Sequence, residues 1–362
     1  MPTRERKIFS ALKHEVDAIV LMNATDPNLD HTFFYATGIP NGLFEGGLAV
    51  IRKNRTEVVC SELEELSARE AGVKTAVFET RAHREELMKK MLKGCESVGI
   101  NSDELTHANY LQIKRFSGGA KLVNVSEDIQ SARMIKEADE ILRIKKACNI
   151  ASITADEIPN MVGRGMTETE AAAEINYKMM RLGASGPAFL TISAFGKGSA
   201  EPHYFPSPSR ALSKGQFALF DFGATNKRYV SDITRTFVCS RPSSEQRLMY
   251  ETVLQAQAAA LEAVKDGAHG KDVDKAARDL IDRSKYRGLF IHGTGHGLGI
   301  CAHDPGHISS QKDMILREGM VLTVEPGVYV KDFGGVRIED DVLVTKKGCR
   351  VLTSASKEFR SI

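Results

Sequence analysis

Residues 217–237 read FALFDFGATNKRYVSDITRTF, and they place Asp221 and Asp232 within two apolar runs. The runs 217–222 and 229–238 are typical of two strands around a short polar turn. If Asn226 and Lys227 form the turn, Asp221 lies directly opposite Asp232. Because like charges that face each other destabilise a sheet, the segment predicts a cation between the two carboxylates.

A second hairpin with facing acids is predicted near the C-terminus. Residues 321–330 read VLTVEPGVYV, residues 336–344 read VRIEDDVLV, and the turn-prone stretch KDFGG lies between them. A hairpin centred on Asp332 pairs Glu325 with Glu339. The alternative is that each acid is a solvated group near a strand end, since charged residues are rarely buried unless paired. Two such pairs within apolar strands favour a metal site.

Between the hairpins, residues 291–307 read IHGTGHGLGICAHDPGH and contain four of the ten histidines of the chain. His292 and His296 have the spacing of a zinc-binding helix, but the surrounding glycines disfavour a helix. Gly293 also stands where the metalloprotease motif requires glutamate. The alternative for each histidine is a loop residue bonded to backbone. With acids on both sides, one of the four is predicted to be a ligand.

Four carboxylates and one imidazole favour manganese, cobalt, iron or zinc over metals that prefer soft ligands. Four converging negative charges predict two divalent ions. Two neighbouring ions activate a bridging water and stabilise both sides of a displacement. The residues therefore predict hydrolysis.

These motifs resemble those of the pita-bread metallopeptidases, in the branch of proline dipeptidase (prolidase) and aminopeptidase P. The resemblance covers essentially the whole chain, and the five ligand positions recur in the order Asp, Asp, His, Glu, Glu. It implies an α+β fold with a pita-bread catalytic domain, whose curved antiparallel sheet has pseudo-twofold symmetry and flanking helices. A smaller α/β creatinase-like domain, implied to make dimer contacts and close the cleft, precedes it.

The family's ligand roles carry over onto five residues of this chain. The resemblance implies that Asp221 binds one ion, that His296 and Glu325 bind the other, and that Asp232 and Glu339 bridge the two. It also implies that a hydroxide bridging the ions attacks the carbonyl before proline while Glu325 moves protons.

Four further residues match the pocket of the family. His303 and His203 match active-site histidines, and His292 and Arg337 match substrate-binding residues. Tyr204 follows His203 where the family has glycine, and the segment before Asp221 carries an extra residue. Arg337 is on the same strand face as Glu339, and a salt bridge that orients a ligand carboxylate is the alternative to its substrate contact.

The length of 362 residues predicts two domains, residues 1–127 and residues 128–362. The first part alternates strand-like and helix-like runs, which is typical of an α/β domain. In the second part, two helices and an acid-bearing hairpin occur twice in succession. Thr167 with Glu170 and Ser243 with Gln246 predict capping boxes for two of these helices.

Composition excludes several classes of protein. The net charge of +2, from 49 basic and 47 acidic residues, gives no support for a nucleic-acid partner. No apolar stretch has membrane-spanning length, and the N-terminal residues MPTRERK lack a signal-peptide core. Six scattered cysteines predict free thiols in a reducing cytoplasm. Cys301 is predicted to be a small apolar filler, with a reactive or ligating thiol as the alternative.

The predicted function is metal-dependent hydrolysis of X-Pro bonds by a cytoplasmic dipeptidase with two divalent ions, manganese or cobalt before zinc or iron. A homodimer and small peptide substrates with proline at the second position are implied by the resemblance. Aminopeptidase P is the first alternative. A metal-free binding protein and a creatine-type hydrolase are the others, and the intact ligand set disfavours both.

Overall fold

The computed structural model describes residues 3–362, which divide into two compact units. The first unit ends at Arg133, and the second is Met134–Ile362. No helix within the described residues is both long enough and apolar enough to cross a bilayer.

The first unit contains one six-stranded mixed sheet in the order β4-β3-β2-β1-β5-β6. Its central strand β1 is buried along its whole length, as expected for a strand with neighbours on both sides and helices around it. The strands are β1 (Ala18–Met22), β2 (Leu48–Arg52), β3 (Arg55–Ser61), β4 (Lys74–Phe78), β5 (Ser97–Ile100) and β6 (Lys121–Asn124). The helices are α1 (Arg4–Ala11), α2 (His31–Thr37), α3 (Glu65–Glu70), α4 (Arg81–Leu92), α5 (His107–Phe116) and α6 (Ser126–Met134), with a 3-10 turn at Glu62–Glu64.

The second unit contains four longer helices. They are α7 (Ala138–Met161), α8 (Glu168–Arg181), α9 (Ser244–Ala263) and α10 (Gly270–Asp282). Both predicted capping boxes are confirmed, because Thr167 and Glu170 exchange hydrogen bonds before α8, and Ser243 and Gln246 do so before α9.

The strands of the second unit pair in antiparallel fashion within four small sheets. They are β7 (Gly186–Pro187), β8 (Ile192–Phe195), β9 (Phe217–Phe222), β10 (Ala224–Asn226), β11 (Tyr229–Val230), β12 (Ile233–Val238), β13 (Gly295–Gly297), β14 (Asp304–Ile308), β15 (Val321–Val324), β16 (Gly327–Val330), β17 (Gly334–Arg337), β18 (Asp340–Thr345) and β19 (Gly348–Val351), with a 3-10 turn at Gly196–Ala200.

The predicted direct pairing of Asp221 with Asp232 is wrong. Asp221 is paired with Thr234, and the turn residues are Lys227 and Arg228, at φ angles of 49° and 73°. Asp232 is therefore two positions from the residue opposite Asp221. Because side chains alternate with a period of two, this shift leaves both carboxylates on the same face as diagonal neighbours.

The predicted register of the second hairpin is confirmed. Strand β15 pairs with β18 through Val324 and Asp340, and β16 pairs with β17 through Gly327 and Arg337. Glu325 and Glu339 lie between these two pairs of strands, and the same register puts them opposite each other.

The repeated organisation of two helices and a hairpin is also present. One buried cluster joins apolar residues of α7 and α8 to β9 and β12, and a second joins α9 and α10 to the strands from β15 to β18. Each hairpin is therefore supported from behind by its own helix pair, which leaves its acid-bearing part free for a site.

Arg235 ties the two hairpins together from inside the core. Arg235 is 1% exposed, and its guanidinium donates to the carbonyl oxygens of Thr234 and Glu339 and pairs with Asp340 at 2.8 Å. It also donates to the carbonyl oxygens of Ser356 and Ala355. The planar guanidinium group of Arg235 thus links β12, the residue before β18 and the C-terminal segment.

Replacement of Arg235 by methionine removes these bonds and leaves buried acceptors unpaired. We expect Arg235→Met to lower the free energy of unfolding by about 3–5 kcal/mol, measured by urea unfolding. The control is Arg247→Met on the exposed face of α9, for which we expect a change within about 0.5 kcal/mol. Equal stability of the two variants would contradict the role assigned to Arg235.

Candidate metal centre

A cavity of about 510 Å³ lies in the second unit. Its lining combines acidic and histidine side chains with an apolar part, a composition typical of a small-molecule site. All nine residues that the sequence predicted for the site line it: His203, Asp221, Asp232, His292, His296, His303, Glu325, Arg337 and Glu339.

Three of these side chains converge closely enough to hold one ion. Ligand atoms of Asp232, His296 and Glu339 lie within 4.8 Å of one another. His296 Nε2 lies 3.8 Å from Asp232 Oδ2 and 3.4 Å from Glu325 Oε1. Residues from three separate segments of the chain thus meet around one point.

Glycines beside His296 allow its strand to reach this position. A Cβ atom at Gly295 would lie 2.0 Å from the Thr323 carbonyl oxygen, and one at Gly297 would lie 2.1 Å from that of Pro305. The backbone can therefore approach β14 and β15 only because these side chains are absent. Thr323 Oγ1 accepts the His296 N–H at 3.0 Å, which fixes the strand in register. The predicted glycine-rich loop thus contains a short strand, β13, that carries the histidine.

The acids repel one another strongly in this setting. Burial, followed by the charges of Glu339 and Asp221, raises the pKa of Asp232 well above its ordinary range. Burial and the charges of Glu325 and Asp221 do the same to the pKa of Glu339. Burial also raises the pKa of Glu325 and lowers that of His296, which keeps the imidazole neutral and able to coordinate.

The oxygen atoms of this cluster fit divalent ions. Asp221 Oδ1 and Asp232 Oδ1 are buried and accept no hydrogen bond from any residue between 3 and 362. Buried polar atoms in native proteins almost always have partners. Several carboxylates, one imidazole and orphaned oxygens form a donor set that suits divalent ions of the manganese, cobalt, iron or zinc type.

Arg337 lies beside the cluster. Its guanidinium pairs with Asp221 Oδ2 at 2.6 Å and donates to Thr234 Oγ1 and to the Tyr329 hydroxyl. The Tyr329 hydroxyl lies 2.8 Å from His292 Nε2, so a chain of polar contacts joins Asp221 to His292. The geometry matches the salt-bridge alternative for Arg337, and a substrate contact stays a prediction.

Sequence reasoning missed three residues that support the site, two that contact the acids and one that contacts Arg337 and His292. Thr234 Oγ1 donates to Glu339 Oε2 at 2.6 Å, and Asp341 Oδ2 accepts the Asp232 N–H at 2.9 Å. Tyr329 is the third. The period-two pattern places Tyr329 on the same strand face as Glu325, a signal that could have identified it. The contact of Asp341 with Asp232 joins distant segments and left no signal in the sequence.

The two remaining histidines occupy different environments. The His303 ring lies 4.4 Å from that of His296 in an edge-on arrangement, and burial followed by the His296 charge lowers the pKa of His303. His203 is exposed and lies in the segment between β8 and β9. Both rings can donate to or accept from a ligand in the cavity.

A cluster of carboxylates with one imidazole, set between two pseudo-symmetric hairpins, is typical of metal-dependent hydrolases. Residues 143–346 match the Metallopeptidase family M24, and residues 6–135 match the Creatinase/Prolidase N-terminal domain. The chain therefore belongs to metallopeptidase family M24. This confirms the predicted family and the predicted fold class, a creatinase-type domain followed by a pita-bread domain.

Individual relatives cover almost the whole chain. The Xaa-Pro dipeptidase of Pyrococcus horikoshii is 35% identical over 99% of both chains. Among solved structures, the Xaa-Pro dipeptidase from Bacillus anthracis has a TM-score of 0.90 at 31% identity over 99% of both chains. The X-Pro aminopeptidase from Thermotoga maritima has a TM-score of 0.89 at 30% identity and covers 96% of this chain and 98% of its own.

The raised pKa values of Asp232 and Glu339 predict how the stability of the metal-free protein depends on pH. In the unfolded chain these groups lose their protons near pH 4, but in the folded state they keep them to higher pH. Between the pKa values of the unfolded and the folded state, folding therefore takes up protons. In this pH range the contribution of the two acids to stability falls as pH rises.

We expect Asp232→Asn to remove much of this fall. The difference in melting temperature between Asp232→Asn and the unchanged metal-free protein should grow, in favour of the variant, as the pH rises from about 5 to about 8. Asp272→Asn, on the exposed side of α10, is the control and should give a constant difference. A constant difference for Asp232→Asn as well would contradict the electrostatic description of the cluster.

Proposed function

We propose that this chain hydrolyses X-Pro peptide bonds, as a dipeptidase, with two divalent ions held by Asp221, Asp232, His296, Glu325 and Glu339. The observation that carries the proposal is the convergence of Asp232, His296 and Glu339 ligand atoms within 4.8 Å in a cavity of about 510 Å³. The names of the relatives described above support the X-Pro substrate class. The dipeptidase from Pyrococcus horikoshii is similar over the full length of this chain.

Bound divalent ions would supply an activated water and polarise the carbonyl group before proline. The residues of the chain must do the rest. Glu325 is proposed to move protons, and its position among the histidines supports this role, since Oε1 lies 3.4 Å from His296 Nε2 and Oε2 lies 4.0 Å from His292 Nδ1. Thr323 Oγ1 lies 3.5 Å from Glu325 Oε1 and restricts its rotation. Arg337 holds Asp221 in one orientation through their ion pair.

The chemistry of the X-Pro bond gives the histidines that line the cavity two possible tasks. The X-Pro bond is a tertiary amide without an N–H, so an enzyme cannot hold it through that donor. The departing nitrogen must receive a proton as the bond breaks. His303 and His292 line the same cavity as the acids and are proposed to position the substrate and its leaving group.

The second candidate function is that of an X-Pro aminopeptidase. The likeness to the Thermotoga maritima enzyme supports it, with a TM-score of 0.89. A dipeptidase must accept the free carboxylate of proline, whereas an aminopeptidase must leave room for further residues.

An activity assay with reconstituted protein tests the proposal. Metal-free protein is loaded with manganese, cobalt, zinc or iron and assayed on Ala-Pro and Ala-Pro-Ala. We expect hydrolysis that depends on added metal and favours Ala-Pro. Preferential cleavage of Ala-Pro-Ala would reverse the choice between dipeptidase and aminopeptidase, and no cleavage of either peptide with any ion would overturn the proposal.

Matched variants link this activity to the ligands. We expect Asp232→Asn and Glu339→Gln to lose bound metal and to lower kcat by about a thousandfold or more, since these two acids would hold both ions. The controls are Asp272→Asn and Glu318→Gln, which change exposed acids and should keep metal and activity. Full metal occupancy with unchanged turnover in Asp232→Asn would remove the basis of the assignment.

Manganese or cobalt as the native metal, a homodimer and a cytoplasmic location stay predictions. The domain boundary at 127/128 and the roles of the first domain in dimer contacts and cleft closure also stay predictions.

A further inference from the structure

Part of the cavity lining is apolar and comes from one stretch of chain on either side of β8. The residues are Phe189, Leu190, Ile192, Pro202, Tyr204 and Phe205. Phe205 is 74% exposed and Leu190 is 60% exposed. Large apolar side chains that are exposed beside a cavity are suited to contact a ligand. Residues 202–205, called here the aromatic loop, also include His203.

The aromatic loop is fixed by the Tyr204 hydroxyl. This group donates to Glu168 Oε2 at 2.8 Å and accepts from Arg210 at 2.8 Å. Glu168 is fully buried at the start of α8, and its carboxylate also accepts the N–H groups of Phe195 at 2.8 Å and Ser207 at 3.0 Å. The Glu168 carboxylate thus bonds to Phe195 before the aromatic loop, to Tyr204 within it and to Ser207 after it.

The Tyr204 ring is held as firmly as its hydroxyl. A Cβ atom at Gly198 would lie 3.2 Å from the ring, so the ring packs directly against that glycine. The Arg210 guanidinium lies 5.5 Å from the ring centroid. Burial and Glu168 raise the pKa of Tyr204 to about 12, so the hydroxyl keeps its proton at neutral pH. The ring therefore forms a rigid part of the cavity lining and is only 8% exposed.

The apolar part of the lining determines how a dipeptide lies in such a cavity. The two ions are proposed to bind the carbonyl group before proline and to compensate the charge of the acids. The proline ring follows that carbonyl group and matches the apolar lining that includes the aromatic loop. The carboxylate of a dipeptide, or a third residue, then follows the ring on this side of the cavity.

We propose that Tyr204 is a specificity-determining residue that limits how far a substrate extends beyond proline. This inference rests on the proposed function, since it names the substrate length that the same site accepts. The ring, fixed between Glu168 and Arg210, closes the cavity on the carboxyl side of proline. Dipeptides fit against it, and a third residue meets the ring.

The test is the ratio of kcat/KM for Ala-Pro-Ala to kcat/KM for Ala-Pro. We expect Tyr204→Ala to raise this ratio about tenfold, a typical effect of removing a side chain from a specificity pocket. Tyr204→Phe keeps the ring but loses the bonds that fix it, and should raise the ratio about threefold. Tyr177→Ala, an exposed tyrosine on α8, is the matched control and should leave the ratio unchanged.

Metal content and circular dichroism are measured for each variant. If Tyr204→Ala does not fold, Tyr204→Phe and Phe205→Ala decide, because Phe205 is largely exposed and its truncation does not disturb the core. A ratio within about twofold of the unchanged protein in the folded variants overturns the inference. So does a change confined to the residue before proline, seen as an altered preference between Leu-Pro and Ala-Pro. Absence of activity in the unchanged protein would instead contradict the proposed function.

Discussion

Repulsion among buried carboxylates is the constraint on which the second unit depends. Asp232 is 5% exposed and Glu339 is 1% exposed, and burial together with the charges of neighbouring acids raises the pKa of each. An apolar core would be more stable without them, because burying unpaired charge is costly. Such an arrangement is retained when cations compensate the charge. Membership of a metallopeptidase family and the orphaned oxygens of Asp221 and Asp232 agree with this explanation.

The scaffold holds these acids in place by contacts made behind them. Arg235 links the two hairpins through backbone carbonyl oxygens, and Asp341 holds the Asp232 N–H. Gly295 and Gly297 let the His296 strand approach its neighbours. The positions of the acids and of His296 are thus set by backbone geometry, which favours a preorganised site. The Tyr204 anchor applies the same principle to the apolar part of the cavity.

Alternation with a period of two predicted which faces of the hairpins carry the acids. The register that pairs Glu325 with Glu339 was also predicted correctly, because the turn residues around Asp332, followed by Gly334 and Gly335, marked the centre of the hairpin. The predicted register of the first hairpin was wrong at Asp221, because the turn residues are Lys227 and Arg228. Both residues adopt the left-handed region, which residues other than glycine, asparagine and aspartate rarely do. Propensity favoured Asn226 for the turn, but Asn226 pairs with Tyr229 in the strand and its side chain donates to the Arg143 carbonyl oxygen. Contacts between distant segments, such as Thr234 with Glu339, have no local pattern from which they could be predicted.

The most direct measurement is anomalous diffraction from a crystal of the protein loaded with manganese. We expect two anomalous peaks between the hairpins, one in contact with His296 and both in contact with Asp232 and Glu339. A loaded crystal without peaks at these side chains, or with the carboxylates turned into bulk solvent, would contradict the assignment of a two-ion centre.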